Sequence, residues 1–283
     1  MISKIAVAGA GTMGSGIALC CAQNEFGVVL YDTGSEVLKK AQAGISKILD
    51  GLLAKGKLSS SEYESIAGRI RYSNDINECK ADLIIEAIIE KAEAKIGLFN
   101  SLADINGADT IFASNTSSLS INQLQSSFRY PQRMAGLHFF NPANIMKLVE
   151  IVKGRHTDSA VLDSLQSFCI RLQKTAVVCK DAPGFIVNRV ARHYYLESMN
   201  ILENRGASIE QIDKIMEATG FKMGPFKLMD LIGNDINLAV TESLYQAFDK
   251  AHRFRPSPIQ EAKVAAGELG RKTQKGFYDY NKG

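Results

Sequence analysis

The sequence lacks the features that mark secreted and membrane-bound proteins. It has no apolar run long enough to span a bilayer, and its five cysteines are odd in number and show no Cys-x-x-Cys spacing. The first residues lead directly into a predicted strand, with no apolar secretory segment before it. These absences predict a cytoplasmic chain with reduced thiols, no membrane contact and no metal site.

A large excess of charge of one sign is also missing. The 33 basic and 30 acidic residues are interspersed and give a net charge of +3. This balance gives no reason to expect a nucleic-acid partner, although a small positive bias suits an anionic substrate. Internal repeats and low-complexity segments are absent, and 283 residues can form one or two domains with a substantial core.

The strongest local pattern lies in the first 32 residues. A short apolar strand, Ile5 to Ala8, is followed by Gly9-Ala10-Gly11-Thr12-Met13-Gly14 and then by a predicted helix. Gly9 allows a tight turn, Gly11 lets backbone N–H groups approach a pyrophosphate, and Gly14 lets the helix pack closely on the sheet. We therefore predict that these six residues bind a dinucleotide, with the helix N-terminus facing its phosphates.

A carboxylate follows at the spacing that such a site requires. The next strand ends at Asp32, eighteen residues after Gly14. An acid at this position accepts hydrogen bonds from both ribose hydroxyls and repels a 2′-phosphate, which favours NAD over NADP. Lys39 and Lys40 follow on the next helix and keep NADP open as the alternative.

The rest of the chain predicts an α/β fold in two domains. Residues 1–182 alternate helices with apolar runs of strand length, interrupted by a helical excursion over residues 35–68. The further runs are Arg69 to Ser73, Ala81 to Ile88, Thr110 to Asn115, Arg133 to Phe140, Lys147 to Val152 and Thr175 to Cys179. Such nearly continuous apolar runs are typical of a parallel sheet that is covered on both faces, here a doubly wound Rossmann-type sheet.

From residue 183 the strand pattern stops, and residues 183–283 predict an all-helical C-terminal domain. The Pro183-Gly184 pair ends the last strand pattern. The predicted helices are Phe185 to Glu203, Ser208 to Ala218, Pro225 to Phe248 and Pro258 to Gly267. Capping-box patterns begin at Ser59, in the excursion, and at Ser208.

One of the four histidines lies in a pattern with chemical meaning. His138 ends an apolar run, and Glu150 lies inside the next apolar strand. If these strands are neighbours, the carboxylate can stabilise a protonated imidazole and fix its tautomer. Oxidation of an alcohol by NAD needs a base for the hydroxyl proton, so the pair is a candidate general base. The alternative is a buried structural histidine beside an unrelated glutamate, which would give the same pattern.

Other candidates have structural alternatives too. Ser117 follows a strand and can hold a substrate hydroxyl or merely close a turn, and Asn188 lies on the first turn of a C-terminal helix. Glu90 and Lys95 follow the carboxyl end of a strand, on the side where doubly wound sheets bind ligands. Their position alone nevertheless favours two solvated residues at the start of a helix. Lys55 lies in a basic tip that is either a solvated helix C-terminus or a phosphate contact.

Five ordered motifs show a resemblance that extends over the whole chain. They are Gly9 to Gly14, Ala113-Ser114-Asn115-Thr116-Ser117-Ser118, Gly136-Leu137-His138-Phe139-Phe140-Asn141-Pro142, Met146-Lys147-Leu148-Val149-Glu150 and Asp181-Ala182-Pro183-Gly184-Phe185-Ile186-Val187-Asn188-Arg189. Together they resemble the short-chain L-3-hydroxyacyl-CoA dehydrogenases, including the bacterial 3-hydroxybutyryl-CoA dehydrogenases. The C-terminal stretch from Gly270 to Tyr278 is similar to the closing motif of that family.

The resemblance implies a role for each candidate. His138 is the catalytic base, Glu150 orients it, Asn188 polarises the substrate carbonyl, and Ser117 holds hydroxyl and nicotinamide together. The residues implied at the cofactor are Asp32, Glu90, Lys95, Asn141 and Lys272. Lys55 matches a coenzyme A contact, although Ile48 stands where some members have a serine. The family further implies an acyl-CoA thioester substrate and a homodimer formed through the helical domain.

Two other functions fit parts of the same pattern. The related gulonate dehydrogenases keep the fold and the base but use a free hydroxy acid, against which the basic tip at Lys55 favours a thioester. Relatives that serve as lens crystallins illustrate a nucleotide-binding module without catalysis. Retention of the four residues implied in catalysis argues against that second reading. The sequence therefore predicts an NAD-dependent 3-hydroxyacyl-CoA dehydrogenase.

Overall fold

A computed structural model describes residues 2–281 and divides the chain into two units, one up to Ala182 and one from Pro183. The first unit contains a single sheet with flanking helices, and the second is helical. The division falls at the Pro-Gly pair that follows the last strand.

The sheet of the first unit has eight strands in the order β3-β2-β1-β4-β5-β6-β7-β8. The strands are β1 Lys4–Ala8, β2 Gly27–Tyr31, β3 Ile70–Ser73, β4 Leu83–Glu86, β5 Ile111–Ser114, β6 Met134–Phe139, β7 Leu148–Lys153 and β8 Thr175–Lys180. All neighbours are parallel except β6 and β7. The strand order reverses beside β1, so the predicted doubly wound sheet is confirmed, with its switch point between β1 and β4.

The helices of the first unit cover both faces of this sheet. They are α1 Thr12–Gln23, α2 Ser35–Ala54, α3 Ser60–Gly68, α4 Ala92–Ile105, α5 Ile121–Ser126 and α6 Ser159–Arg171. The excursion over residues 35–68 forms α2 and α3, and Ser59 begins α3 with the predicted capping box to Glu62. In the described part of the chain, no helix combines the length and apolar character that a membrane span requires.

The second unit consists of α7 Val187–Glu203, α8 Ile209–Ala218, α9 Pro225–Ile232, α10 Asn234–Ala247 and α11 Pro258–Ala265. Its core packs Tyr195 and Met199 against Ile212, Phe226 and Met229. The prediction of one helix over Pro225 to Phe248 is wrong. Gly233 separates α9 from α10 with φ at +104°, a backbone conformation that glycine adopts readily and other residues rarely do.

Candidate active site

The turn after β1 has the close packing that the glycine pattern predicts. Gly9 has φ at +105°, and a Cβ there would lie 2.5 Å from the carbonyl oxygen of Ala87. A Cβ on Gly14 would lie 1.7 Å from the carbonyl oxygen of Gly9, so α1 packs against the turn with no room for a side chain. By contrast, a Cβ on Gly11 would meet no atom within 4 Å. Gly11 thus faces open space at the N-terminus of α1.

This N-terminus can hold an anion. Gly11 is the N-cap, no side chain caps the helix, and its first turn has no acidic residue. The first backbone N–H groups of a helix lack intrahelical acceptors and carry a partial positive charge. The open cradle at Gly11 and the uncapped helix together fit the pyrophosphate of a dinucleotide.

Asp32 is held beside this turn by two backbone donors. Its Oδ2 accepts from the N–H of Ala10 at 2.9 Å, and its Oδ1 accepts from the N–H of Gly34 at 2.9 Å. Each carboxylate oxygen can accept a second hydrogen bond. The arrangement therefore presents a fixed pair of acceptors at the carboxyl end of β2, which fits ribose hydroxyls.

His138 and Glu150 face each other across the antiparallel pair β6 and β7. The two residues are direct register partners, and Nδ1 of His138 lies 2.8 Å from Oε2 of Glu150. Both side chains are buried, with 7% and 1% of their surfaces exposed. The ring of Phe140 lies 4.5 Å from the imidazole, centroid to centroid. The structure thus places an imidazole and a carboxylate together beside an aromatic ring, an arrangement that fits a general base.

A turn rich in hydroxyl groups follows β5 and is organised by Glu90. One oxygen of Glu90 accepts from the hydroxyls of Thr116 and Ser118 and from the N–H groups of Ser117 and Ser118. Burial by itself raises the pKa of Glu90, but Lys95 and the hydroxyl donors outweigh burial and lower the pKa. Ser117 gives Glu90 only its backbone N–H, so its side chain stands outside this cluster.

Lys95 is buried, so the interpretation of this residue as a solvated helix-start side chain is wrong. Its ammonium lies 2.5 Å from Glu86 and 3.1 Å from Glu90, and only 1% of the side chain is exposed. Sequence reasoning missed Glu86, which ends the apolar run of β4 and is fully buried. Burial raises the pKa of Glu86 despite the opposing effect of Lys95. The signal that could have found Glu86 was a charge inside an otherwise apolar strand.

Asn115 was also not assigned a role from sequence. Its side-chain oxygen accepts from the N–H of Phe139 at 2.9 Å, so it ties the end of β5 to the end of the histidine strand. Asn141 follows β6 and is exposed, and Lys55 is the exposed C-cap of α2. Ile48, on the same helix, is 42% exposed.

Two predicted site residues belong to the second unit. Asn188 lies in the first turn of α7 and is half-buried. Lys272 forms an ion pair with Asp235, with its ammonium 2.6 and 2.7 Å from the two carboxylate oxygens. The carboxylate of Asp235 fixes where this ammonium lies, and a role of Lys272 at the cofactor stays a prediction.

The fold and this set of residues define a dehydrogenase that uses a dinucleotide. Residues 4–182 match the family model described as 3-hydroxyacyl-CoA dehydrogenase, NAD binding domain, and residues 184–280 match the C-terminal domain of the same family. The chain belongs to the 3-hydroxyacyl-CoA dehydrogenase family. The predicted enzyme class and the predicted cofactor, NAD, are therefore confirmed.

Individual relatives agree with the family models. The chain is 43% identical to 3-hydroxyadipyl-CoA dehydrogenase of Escherichia coli (strain K12) over 99% of its own length and 59% of that protein, so it spans about three fifths of this longer relative. It is 38% identical to the mitochondrial hydroxyacyl-coenzyme A dehydrogenase of Sus scrofa, over 99% of the chain and 92% of the relative. The crystal structure of (S)-3-hydroxybutyryl-CoA dehydrogenase from Ralstonia eutropha matches with 37% identity and a TM-score of 0.94, covering 100% of both chains.

Proposed function

We propose that this protein interconverts a short-chain (S)-3-hydroxyacyl-CoA, foremost 3-hydroxybutyryl-CoA, and the corresponding 3-oxoacyl-CoA. The observation that carries the proposal is the buried His138–Glu150 pair. The pair lies at the same end of the sheet as the dinucleotide turn and Asp32. The reason is that β1, β2 and β6 all run in the same direction, so their carboxyl ends lie together. The names of the relatives supply the thioester class of the substrate.

The proton is handled by the chain itself. Since Nδ1 of His138 contacts Glu150, Nε2 is the ring atom that takes the proton from the C3 hydroxyl of the substrate. Glu150 then stabilises the imidazolium and keeps the ring in its orientation. Bound NAD supplies the hydride acceptor. In the direction of reduction, the protonated His138 acts as the acid.

The remaining residues position the reactants in this proposal. Ser117 holds the substrate hydroxyl together with the nicotinamide amide, and Asn188 polarises the carbonyl. Asp32 accepts hydrogen bonds from the adenosine ribose. The other residues assigned to the cofactor are Glu90, Lys95, Asn141 and Lys272. These roles are inferred from the positions of the residues and from membership of the family.

The decisive assay follows NADH oxidation at 340 nm with acetoacetyl-CoA, beside NADPH and beside free acetoacetate. We expect rapid turnover only with NADH and the thioester. Turnover of free acetoacetate at a similar rate would favour a hydroxy-acid dehydrogenase, which keeps the same base. Tight NADH binding without turnover of either substrate would favour a nucleotide-binding module without catalysis.

Replacement of Lys55 by alanine should raise the KM for acetoacetyl-CoA by about 3- to 10-fold and leave kcat unchanged. The reason is that one exposed ammonium stabilises a bound phosphate by roughly 1 kcal/mol, equally in the ground state and the transition state. Steady-state kinetics measure both constants. Lys57→Ala is the matched control, since Lys57 is also exposed and lies two residues away. Equal effects of the two substitutions would contradict a specific contact at Lys55.

The proposal includes a cytoplasmic homodimer formed through the helical unit. Its support is the set of exposed apolar side chains on that unit, such as Val190, Ile215, Phe221 and Ile236, each at least half exposed. All five cysteines are unbridged, which suits a reducing compartment. Light scattering should give about twice the mass of the 30.9 kDa chain. A monomeric mass at micromolar concentration would contradict the dimer.

A further inference from the structure

Three ionisable side chains, Glu86, Lys95 and Glu90, form a connected cluster that we term the acidic triad. The ammonium of Lys95 bridges the two carboxylates, at 2.5 Å from Oε1 of Glu86 and 3.1 Å from Oε2 of Glu90. The side chains of Glu86 and Lys95 are 0% and 1% exposed, whereas that of Glu90 is 37% exposed. The triad therefore runs from the interior of the sheet to its surface, at the carboxyl end of β4.

The hydrogen bonds of the triad indicate that both carboxylates are ionised. Oε1 of Glu86 accepts from Lys95 and from the N–H of Ile88, and Oε2 accepts from the hydroxyl of Ser114 at 2.6 Å. The Ser114 hydroxyl donates its hydrogen to Glu86, and its oxygen accepts from the N–H of Thr116. A protonated carboxyl group needs an acceptor for its own hydrogen, and these contacts supply donors.

Glu90 has the same kind of surroundings. Its Oε1 receives two backbone N–H groups and two hydroxyls from the turn of residues 116–118, and its Oε2 receives the ammonium of Lys95. Two carboxylates and one ammonium give the triad a net charge of −1. The low polarity around the two buried members limits screening of that charge.

The position of this charge relative to the fold gives it a role. Doubly wound sheets bind ligands in the crevice outside the carboxyl ends of the strands, at the switch point. Here Gly9, Gly11 and Asp32 lie on the β1 and β2 side of that point, and the triad lies on the β4 side. The adenosine half of a dinucleotide belongs on the side of Asp32, so the nicotinamide half belongs on the side of the triad.

We propose that the acidic triad shifts the binding affinity of the protein toward the oxidised cofactor relative to the reduced one, with Glu86 as the buried source of the excess negative charge. The nicotinamide ring carries a positive charge in NAD+ and none in NADH, so a net charge of −1 attracts only the oxidised ring. Glu86 is in this view a positioning residue, which acts through Lys95 and Glu90. The inference rests on the proposed function only for the use of NAD, and not for the identity of the acyl-CoA.

The test is the ratio of two dissociation constants measured without substrate. Glu86→Gln keeps the size of the side chain and removes the charge, and its amide oxygen can still accept from Lys95 and Ile88. We expect Kd(NAD+)/Kd(NADH) to rise by about 3- to 10-fold, the size expected for loss of one unit charge from a partly screened site. NADH fluorescence gives one constant, and competition by NAD+ gives the other. Because turnover is not involved, the result does not depend on which substrate the enzyme uses.

Two substitutions separate the charge from structural effects. Glu93→Gln makes the same change in net charge on the exposed face of α4, and Ser114→Ala removes a hydrogen bond to Glu86 while all three charges remain. Both should leave the ratio within about twofold of the wild-type value. If Glu86→Gln does not fold, Glu90→Gln removes the same charge from the exposed end of the triad and should shift the ratio in the same direction.

The outcomes distinguish the inference from the function on which it rests. An unchanged ratio in a folded Glu86→Gln protein, or in Glu90→Gln where that variant is used, overturns the role of the triad. A fall in the ratio overturns it as well. Wild-type protein that binds neither NAD+ nor NADH contradicts the proposed function instead.

Discussion

Replacing His138 with glutamine should lower kcat by roughly 10²- to 10⁴-fold while the Kd for NADH stays nearly unchanged. Glutamine can still donate a hydrogen bond to Glu150, so the buried carboxylate does not lose this contact. It cannot take up a proton at neutral pH, so the hydroxyl proton of the substrate has no acceptor at this position. Stopped-flow or steady-state kinetics with acetoacetyl-CoA measure kcat, and NADH fluorescence measures the affinity.

His156→Gln is the matched control for this experiment. His156 lies in the same unit but is exposed, and we expect wild-type kinetics from its replacement. A loss of NADH affinity in His138→Gln as large as the loss of kcat would contradict the role of His138 as a base. It would indicate instead that the residue supports the cofactor site structurally.

The sheet could be predicted from sequence because its strands carry their own signal. A parallel strand covered on both faces must be apolar along its whole length, as Leu83, Ile84 and Ile85 of β4 are. All eight predicted strands are present, each within a few residues of its expected bounds. The prediction that His138 pairs with Glu150 depended on β6 and β7 being neighbours in the sheet. The short connection between them favours that arrangement, because consecutive strands usually lie side by side.

What sequence reasoning missed depends on tertiary contacts. Glu86 and Lys95 meet because α4 packs against the end of β4, and spacing alone could not tell a buried ion pair from two solvated charges. The break at Gly233 was missed for a different reason. A single glycine inside a helical pattern lowers helix stability only modestly, so the pattern did not reveal its positive φ. Isolated residues with tertiary roles are therefore the weak point of the sequence analysis.

Alanine substitutions at Gly11 and Gly14 should have the largest effects on the cofactor site. We expect the two variants to separate a loss of cofactor binding from a loss of stability. Alanine fits at Gly11, where φ is −68° and no atom lies near the new Cβ, so Tm should change by only a few degrees. The same methyl group occupies the space that the pyrophosphate needs, so the Kd for NADH should rise at least about 10-fold.

In Gly14→Ala the Cβ would lie 1.7 Å from the Gly9 oxygen, so the turn must move. Tm should then fall by roughly 5 °C or more, and binding should be lost.

Gly44→Ala provides the control for both substitutions. Gly44 lies exposed within α2, and a Cβ there would meet no atom within 4 Å, so alanine should raise stability by about 0.5–1 kcal/mol through its higher helix propensity. Its Kd for NADH should equal that of the wild type, because the new Cβ points into open space and leaves the packing around the turn unchanged. Thermal unfolding and NADH titration of all three variants measure both quantities.

If Gly11→Ala binds NADH as tightly as the wild type, the open space at Gly11 is not where the pyrophosphate lies. If Gly14→Ala keeps its Tm, the close contact with Gly9 does not constrain the turn.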